Sequence, residues 1–134
     1  MKRFLWLLLV ATVPAAACAA AGADQPRTIT ITIHHSQFDP GGIAARTGET
    51  VRFVIRNTDP IDHEFILGDQ GVQIRHENGT EPYHPPRPGE VTIGAGQVAE
   101  TTFTFGDPNV PVTYACHLPG HLAFGMQGAV RISR

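Results

Sequence analysis

Residues 114–126 carry three different metal-binding side chains in the spacing Cys116-x4-His121-x4-Met126. A thiol, an imidazole and a thioether so placed can meet at one point only if the segment folds back and both of its ends are clamped. Pro119 and Gly120 supply the turn. Gly125, just before Met126, is expected to clear space where the backbone passes close to another group. Thiolate and thioether are soft ligands and imidazole suits copper, so the segment offers three donors of a trigonal Cys and two His set with a long axial Met. Zinc fits less well, because Met is a poor zinc ligand and structural zinc sites use several thiolates.

The fourth donor has to come from elsewhere, and His63 is the best placed. It opens the apolar run His63-Glu64-Phe65-Ile66-Leu67 directly after the turn-forming Asn57-Thr58-Asp59-Pro60. A rigid strand end suits a ligand whose position must not relax. With His63 upstream, the pattern Cys116-x4-His121-x4-Met126 resembles that of the cupredoxins, the small blue copper proteins. The loop spacing is nearest that of rusticyanins and auracyanins. The resemblance covers roughly residues 28 to 132 and implies a Greek-key β-sandwich with copper at one end. It implies one type 1 copper held by His63, Cys116, His121 and Met126, with Met126 as the weak axial donor that tunes the potential.

The chain around these residues reads as all-β. Thr28-Ile29-Thr30-Ile31-Thr32-Ile33 alternates polar and apolar residues, and Thr50 to Asn57 alternates with Val51, Phe53 and Ile55 on one face. Further strands are predicted at Ile43–Arg46, His63–Leu67, Val91–Ile93, Val98–Phe105 and Gln127–Ser133, the last with Ala129 and Ile132 inside, and Val110 to Cys116 leads into the donor segment. His34 to Gly42 reads as a loop. No stretch has the pattern of an amphipathic helix of three turns. Seven to eight short strands separated by turns suggest a β-sandwich.

Residues 68 to 90 interrupt the pattern as one long polar excursion, with Val72 to Ile74 as a short strand or turn of helix and a Pro-rich, extended end. Loops of this length within a domain are usually functional or mobile. His34, His35, His76 and His84 are read as solvent-exposed loop residues, with a second, weaker copper site as the sharper alternative. His117 directly follows Cys116. In multicopper oxidases the matching His binds a trinuclear cluster, which requires His-x-His pairs on other domains, and this sequence has none. The dinuclear copper domain of cytochrome oxidase is excluded because it needs two Cys in the ligand loop. In plastocyanin-like proteins an Asn after the upstream His bonds a Ser or Thr beside the ligand Cys. Here those positions are Glu64 and His117, so a bridge from the His117 imidazole to the Glu64 carboxylate is expected, with the imidazole pKa raised.

Residues 1–23 read as a secretory leader: Lys2 and Arg3, an apolar run from Phe4 to Val13 too short to span a bilayer, then small residues up to Ala23. Ala15-Ala16-Ala17-Cys18 leaves open a second reading, lipid attachment at Cys18, although the bacterial lipoprotein signal carries Leu where this sequence has Ala15. Residues 24–134 then form a single copper-binding domain. Without Lys2 and Arg3, the 10 basic and 12 acidic residues leave a net charge near −4, which argues against nucleic-acid binding. If the leader is cut after Cys18, Cys116 is the sole remaining cysteine. In an oxidising compartment a lone thiol asks for an explanation, and metal ligation supplies one.

No nucleophile, acid–base pair or phosphate-binding loop stands out, so the chain is not read as an enzyme. The expectation is an exported, periplasmic or extracellular, monomeric electron carrier that meets redox protein partners transiently. The apolar residues Leu118, Pro119, Leu122, Ala123 and Phe124 would ring the exposed edge of His121 as the docking surface. The alternative is a copper-binding module for trafficking or tolerance without an electron-transfer role.

Overall fold

The computed structural model describes residues 25–79 and 84–134. The alternating segments become strands where the sequence places them. The order is β1 (Arg27–His34), β2 (Gln37–Asp39), β3 (Gly42–Arg46), β4 (Thr50–Asn57), β5 (His63–Gly68), α1 (Gln70–Glu77), β6 (Glu90–Ile93), β7 (Val98–Thr104), β8 (Thr113–Ala115) and β9 (Gln127–Ser133). They form two mixed sheets, one ordered β2-β1-β4-β7 and the other β3-β9-β8-β5-β6. The parallel pairings are β1 with β4 and β3 with β9, and the other pairings are antiparallel.

The core lies between the sheets because the period-two pattern sends one apolar set inward from each. Ile31, Ile33, Val51, Phe53 and Ile55 come from the first sheet, and Phe65, Leu67, Ile93 and Tyr114 from the second. Phe65 sits at the centre, edge-on to Phe38 at 5.9 Å and tilted against Phe53 and Tyr114 at 5.4 Å. All six residues of β5 are buried, because the outer face of this strand is covered as well. There α1 lies across it, and the Gln73 amide nitrogen donates to the carbonyls of Ile66 and Thr113 at 3.0 Å each. The helix starts on Asp69, whose carboxylate accepts the Val72 N–H at 3.0 Å. Arg75 and His76 in its last turn suit its negative end.

Four expectations need adjusting. The segment His34–Gly42 is not all loop, because Phe38 is buried and carries β2, which brings the strand number to nine. The excursion after residue 68 begins with a helix of two turns. The stretch Val110–Cys116, read only as the lead into the donor segment, carries the short strand β8 at Thr113–Ala115. Finally, Ala129 is exposed, and Gly128 is the buried residue of β9, with Val130 and Ile132 partly buried. Residues 129 and 132 are an odd number apart, so they cannot share a face of a strand. The leader at 1–23 and Cys18 lie outside the described residues. Among those described, no helix is long and apolar enough to cross a membrane.

Gly128 is buried because Tyr114 lies directly on its Cα, so that a Cβ there would run into the ring. The ring cannot easily leave: its hydroxyl donates to the Pro40 carbonyl at 2.6 Å, and burial, with the Asp39 charge, pushes the phenol up to about 12. Gly128→Ala is therefore expected to cost about 1–3 kcal/mol through overpacking. The measurement is the urea midpoint at unchanged slope. An unchanged midpoint would show that Tyr114 moves aside freely.

Candidate metal centre

Cys116 follows β8 and Met126 precedes β9, so the two ends of the segment between them are set by neighbouring strands of one sheet. The clamp continues into the segment itself. The Cys116 N–H donates to the Met126 carbonyl, and the Met126 N–H to the His121 carbonyl, at 3.1 Å each. Gly120 and Gly125 have φ of +86° and +87°. Nothing lies within 4 Å of a Cβ built at Gly125. Its requirement is thus the left-handed backbone and not clearance, which corrects the sequence expectation.

The structure brings three of the four expected donors together. His121 Nδ1 lies 3.2 Å from Cys116 Sγ and 3.2 Å from His63 Nδ1, and all three donor atoms fall within 4.8 Å of one another. Nitrogen and sulfur donors roughly 2.0–2.3 Å from a shared ion lie about 3–4 Å apart, so the triangle is the right size to hold one. Cys116, His63 and Met126 are fully buried and His121 is partly exposed. Burial raises the Cys116 thiol, against the N–H groups of Glu64 and Leu118, which favour the thiolate. Burial, with the neighbouring His63 second, lowers His121. An arriving cation therefore meets a bare imidazole and displaces the thiol proton.

Asp59 positions His63. Its Oδ2 is 3.0 Å from His63 Nε2, so Nε2 carries the proton and Nδ1 is left bare toward His121. The same carboxylate accepts the N–H groups of His35 and Ser36 at 2.7 Å each, in a turn where both residues have positive φ. Burial alone would raise the Asp59 carboxyl. The two N–H donors and His63 outweigh it and hold the group below the usual carboxylate value. Buried Asn57 shapes the turn between them, donating to the carbonyls of Ile61 and Gly94 and accepting the Asp59 N–H. Sequence reading took Asn57 and Asp59 only as turn formers. The available signal was a carboxylate four residues before the candidate ligand.

The expected side-chain bridge between Glu64 and His117 is absent. Glu64 does join the two segments, but through main-chain partners: its own N–H donates to Cys116 Sγ at 3.3 Å, and its Oε2 accepts the His117 N–H at 3.3 Å. The His117 ring turns to α1, where Nε2 meets Gln73 Oε1 at 2.7 Å. Because the Gln73 amide nitrogen is committed to two carbonyls, its oxygen faces His117 and His117 Nε2 is the donor. Its Nδ1 is buried without a hydrogen-bond partner among the described residues. Burial first and His76 second lower the His117 pKa, opposite to the expected rise, because the carboxylate does not reach the ring.

The other histidines divide. His34 and His35 are exposed, as expected. His76 and His84 are not: His76 is buried and His84 partly so, and both face Glu90. Of the apolar residues near His121, Pro119, Ala123 and Phe124 are exposed, Phe124 by 81%. Leu118 packs against the core, and Leu122 lines a cavity with His117 and α1.

The chain matches the family model of the cupredoxin-like domain over residues 4–81, a span that includes His63 and ends before Cys116. It is 35% identical over 112 residues to the copper-resistant cuproprotein CopI of Rubrivivax gelatinosus, covering 81% of this chain and 67% of that protein. It is 28% identical over 145 residues to the copper-resistant cuproprotein CopI of Pseudomonas aeruginosa, covering 84% and 80%. Among solved structures, the dithionite-reduced auracyanin of Roseiflexus castenholzii superposes with a TM-score of 0.65 at 23% identity, covering 80% of this chain and 97% of that one.

Asp59→Asn keeps an acceptor beside His63 but removes the charge that fixes its tautomer. The variant should fold and bind copper about 10–100-fold more weakly, the usual scale for losing a partner of a metal-bound His. A competition titration against a chelator reads this directly, and unchanged affinity would show that His63 needs no such anchor.

Proposed function

The chain belongs to the cupredoxin-like family, and from that premise we propose that it is an exported copper protein holding one ion through His63, Cys116, His121 and Met126 and passing single electrons. The observation that carries this reading is the largely buried triangle of His63 Nδ1, Cys116 Sγ and His121 Nδ1, with two edges of 3.2 Å and the third within 4.8 Å, a size that suits a single ion. Copper supplies a one-electron couple between Cu+ and Cu2+. The protein supplies a fixed compromise geometry. Asp59 holds one imidazole, and the N–H of Glu64 takes up negative charge on the sulfur. Met126, buried beside Cys116 through its carbonyl, offers the weak fourth donor. Ligands that do not move between the two oxidation states keep the exchange of electrons fast. No substrate bond is made or broken in this role. The edge of His121 flanked by Pro119, Ala123 and Phe124 is the docking face for transient redox protein partners.

A second reading, copper tolerance, is favoured by a specific observation: both relatives above are named copper-resistant cuproproteins. The two readings share the site and differ in its use. A strain lacking the protein that grows normally on copper but loses an electron-transfer activity supports the first. A copper-sensitive strain rescued by the intact chain and not by Cys116→Ala supports the second.

The site itself is tested on purified, copper-loaded protein. The wild type should show an intense visible thiolate-to-copper band and a reversible potential. Cys116→Ala should lose the band and keep the fold, and a surviving band would remove Cys116 from the site. Met126→Leu should retain copper and raise the potential by about 59 mV for each tenfold by which it weakens Cu2+ relative to Cu+. An unchanged potential would mean that Met126 is not a donor.

A further inference from the structure

The segment that interrupts the strand pattern folds back to build a second cluster of donors. His76 stands in the last turn of α1, His84 lies in the stretch before β6, and Glu90 opens β6. His76 Nε2 is 3.0 Å from Glu90 Oε2, and His84 Nε2 is 3.4 Å from the same oxygen. The three side chains are only 3%, 12% and 8% exposed. One ligand atom from each falls within 4.8 Å of the other two. The imidazole rings meet nearly edge to face, with centroids 5.1 Å apart at 73°, so their nitrogens approach the carboxylate from different directions.

From this geometry we propose that His76, His84 and Glu90 form a second metal site, taking a divalent first-row cation of the Zn2+ or Cu2+ type. Nitrogen and oxygen ligands roughly 2.0–2.2 Å from a tetrahedral ion lie about 3.3–3.5 Å from one another. The 3.0 and 3.4 Å separations thus need little movement to accept one. Two imidazoles and one carboxylate also form a known zinc donor set that leaves a fourth position open. With neither thiolate nor thioether, the set selects against Cu+, and among divalent ions it binds Cu2+ most tightly. His84 and Glu90 line a cavity together with Glu64, which gives an ion a way in and room for a solvent ligand.

The rival arrangement is a carboxylate neutralised by its protein neighbours alone. Arg75 and Arg87 approach Glu90 at 3.6 and 3.7 Å, outside hydrogen-bond distance. Their side chains are 44% and 42% exposed, so solvent screens both charges. Their charge lowers the affinity of the site without blocking it, which makes this the weaker of the two centres. The cluster is separate from His63, Cys116 and His121, although His76 stacks on His117 at 5.8 Å, one residue from Cys116.

The test is a crossed titration of the full protein with Cu2+ and, separately, Zn2+, counting bound equivalents per chain by calorimetry with chelator competition. The wild type should bind two equivalents. His84→Ala, at the least buried of the three positions, should lose the weaker equivalent and leave the visible thiolate–copper band unchanged. Glu90→Gln should do the same, and His35→Ala, at an exposed position, should lose nothing. Cys116→Ala should instead lose the tighter equivalent and keep the weaker. A His84→Ala protein that binds as many equivalents as the wild type overturns the second site, whether the wild type binds one or two. Loss of the band in no variant at all counts against the first site alone, so the two readings fail separately.

Discussion

A single carboxylate ties the two sheets together at the end that carries the site. Asp59 receives two N–H groups from the turn after β1, in one sheet, and holds His63 at the start of β5, in the other. Both halves donate hydrogen bonds to it. The turn places His35 and Ser36 at positive φ, which ordinary residues adopt only under compensation. The imidazole would otherwise be buried with a free rotor and an undefined tautomer. The anion is tolerable in the interior because its hydrogen bonds and the neighbouring His63 replace lost solvent. Around this anchor the other constraints follow in order: Asn57 shapes the turn, β5 carries His63 to the sheet end, and β8 and β9 present the segment that faces it.

What could be read from the sequence was what repeats or what is chemically rare. Thr28 to Ile33 and Val51, Phe53 and Ile55 announced their faces, because a period of two has one structural meaning in a half-buried strand. Cys116, His121 and Met126 stood out because few other arrangements use those three donors at that spacing, and two of them, with His63, do converge. What escaped was set by partners distant in sequence. Phe38 makes a strand only because Phe65 and Tyr114 wait for its ring. Glu64 was correctly suspected of joining the two segments. Its bond goes to a main-chain N–H, which carries no sequence signal, while the His117 ring is claimed by Gln73 from a helix that the pattern barely hinted at. His76 and His84 read as loop residues because the polar stretch around them gives no sign of the Glu90 contact that buries them.

Helix α1, with Glu90 at its margin, forms an outer layer over β5. In a two-sheet sandwich the outer face of a strand usually meets water. Here Gln73 closes over it with bonds to two strands, His117 fills the gap beneath, and Glu90 gathers His76 and His84 at the margin. This layer occupies the face of β5 turned away from the core. It also places polar groups where a plain sandwich would have had a solvated sheet.

The pairing of β3 with β9 has a bearing on the order of events as the chain folds. The register joins Ala45 to Ile132, so β9 docks on a strand from the opposite end of the domain. Such distant pairings are slow to form, since the intervening chain must be closed before any contact rewards it. The donor segment lies between β8 and β9, which pair with each other, so its two ends are clamped without waiting for that closure. Local turns and the hairpin that carries Cys116 and His121 need no distant partner, whereas their alignment with His63 needs β5 beside β8. Burial of the Cys116 thiol draws on residues of both sheets, so its shelter from oxidants depends on how quickly the sandwich shuts.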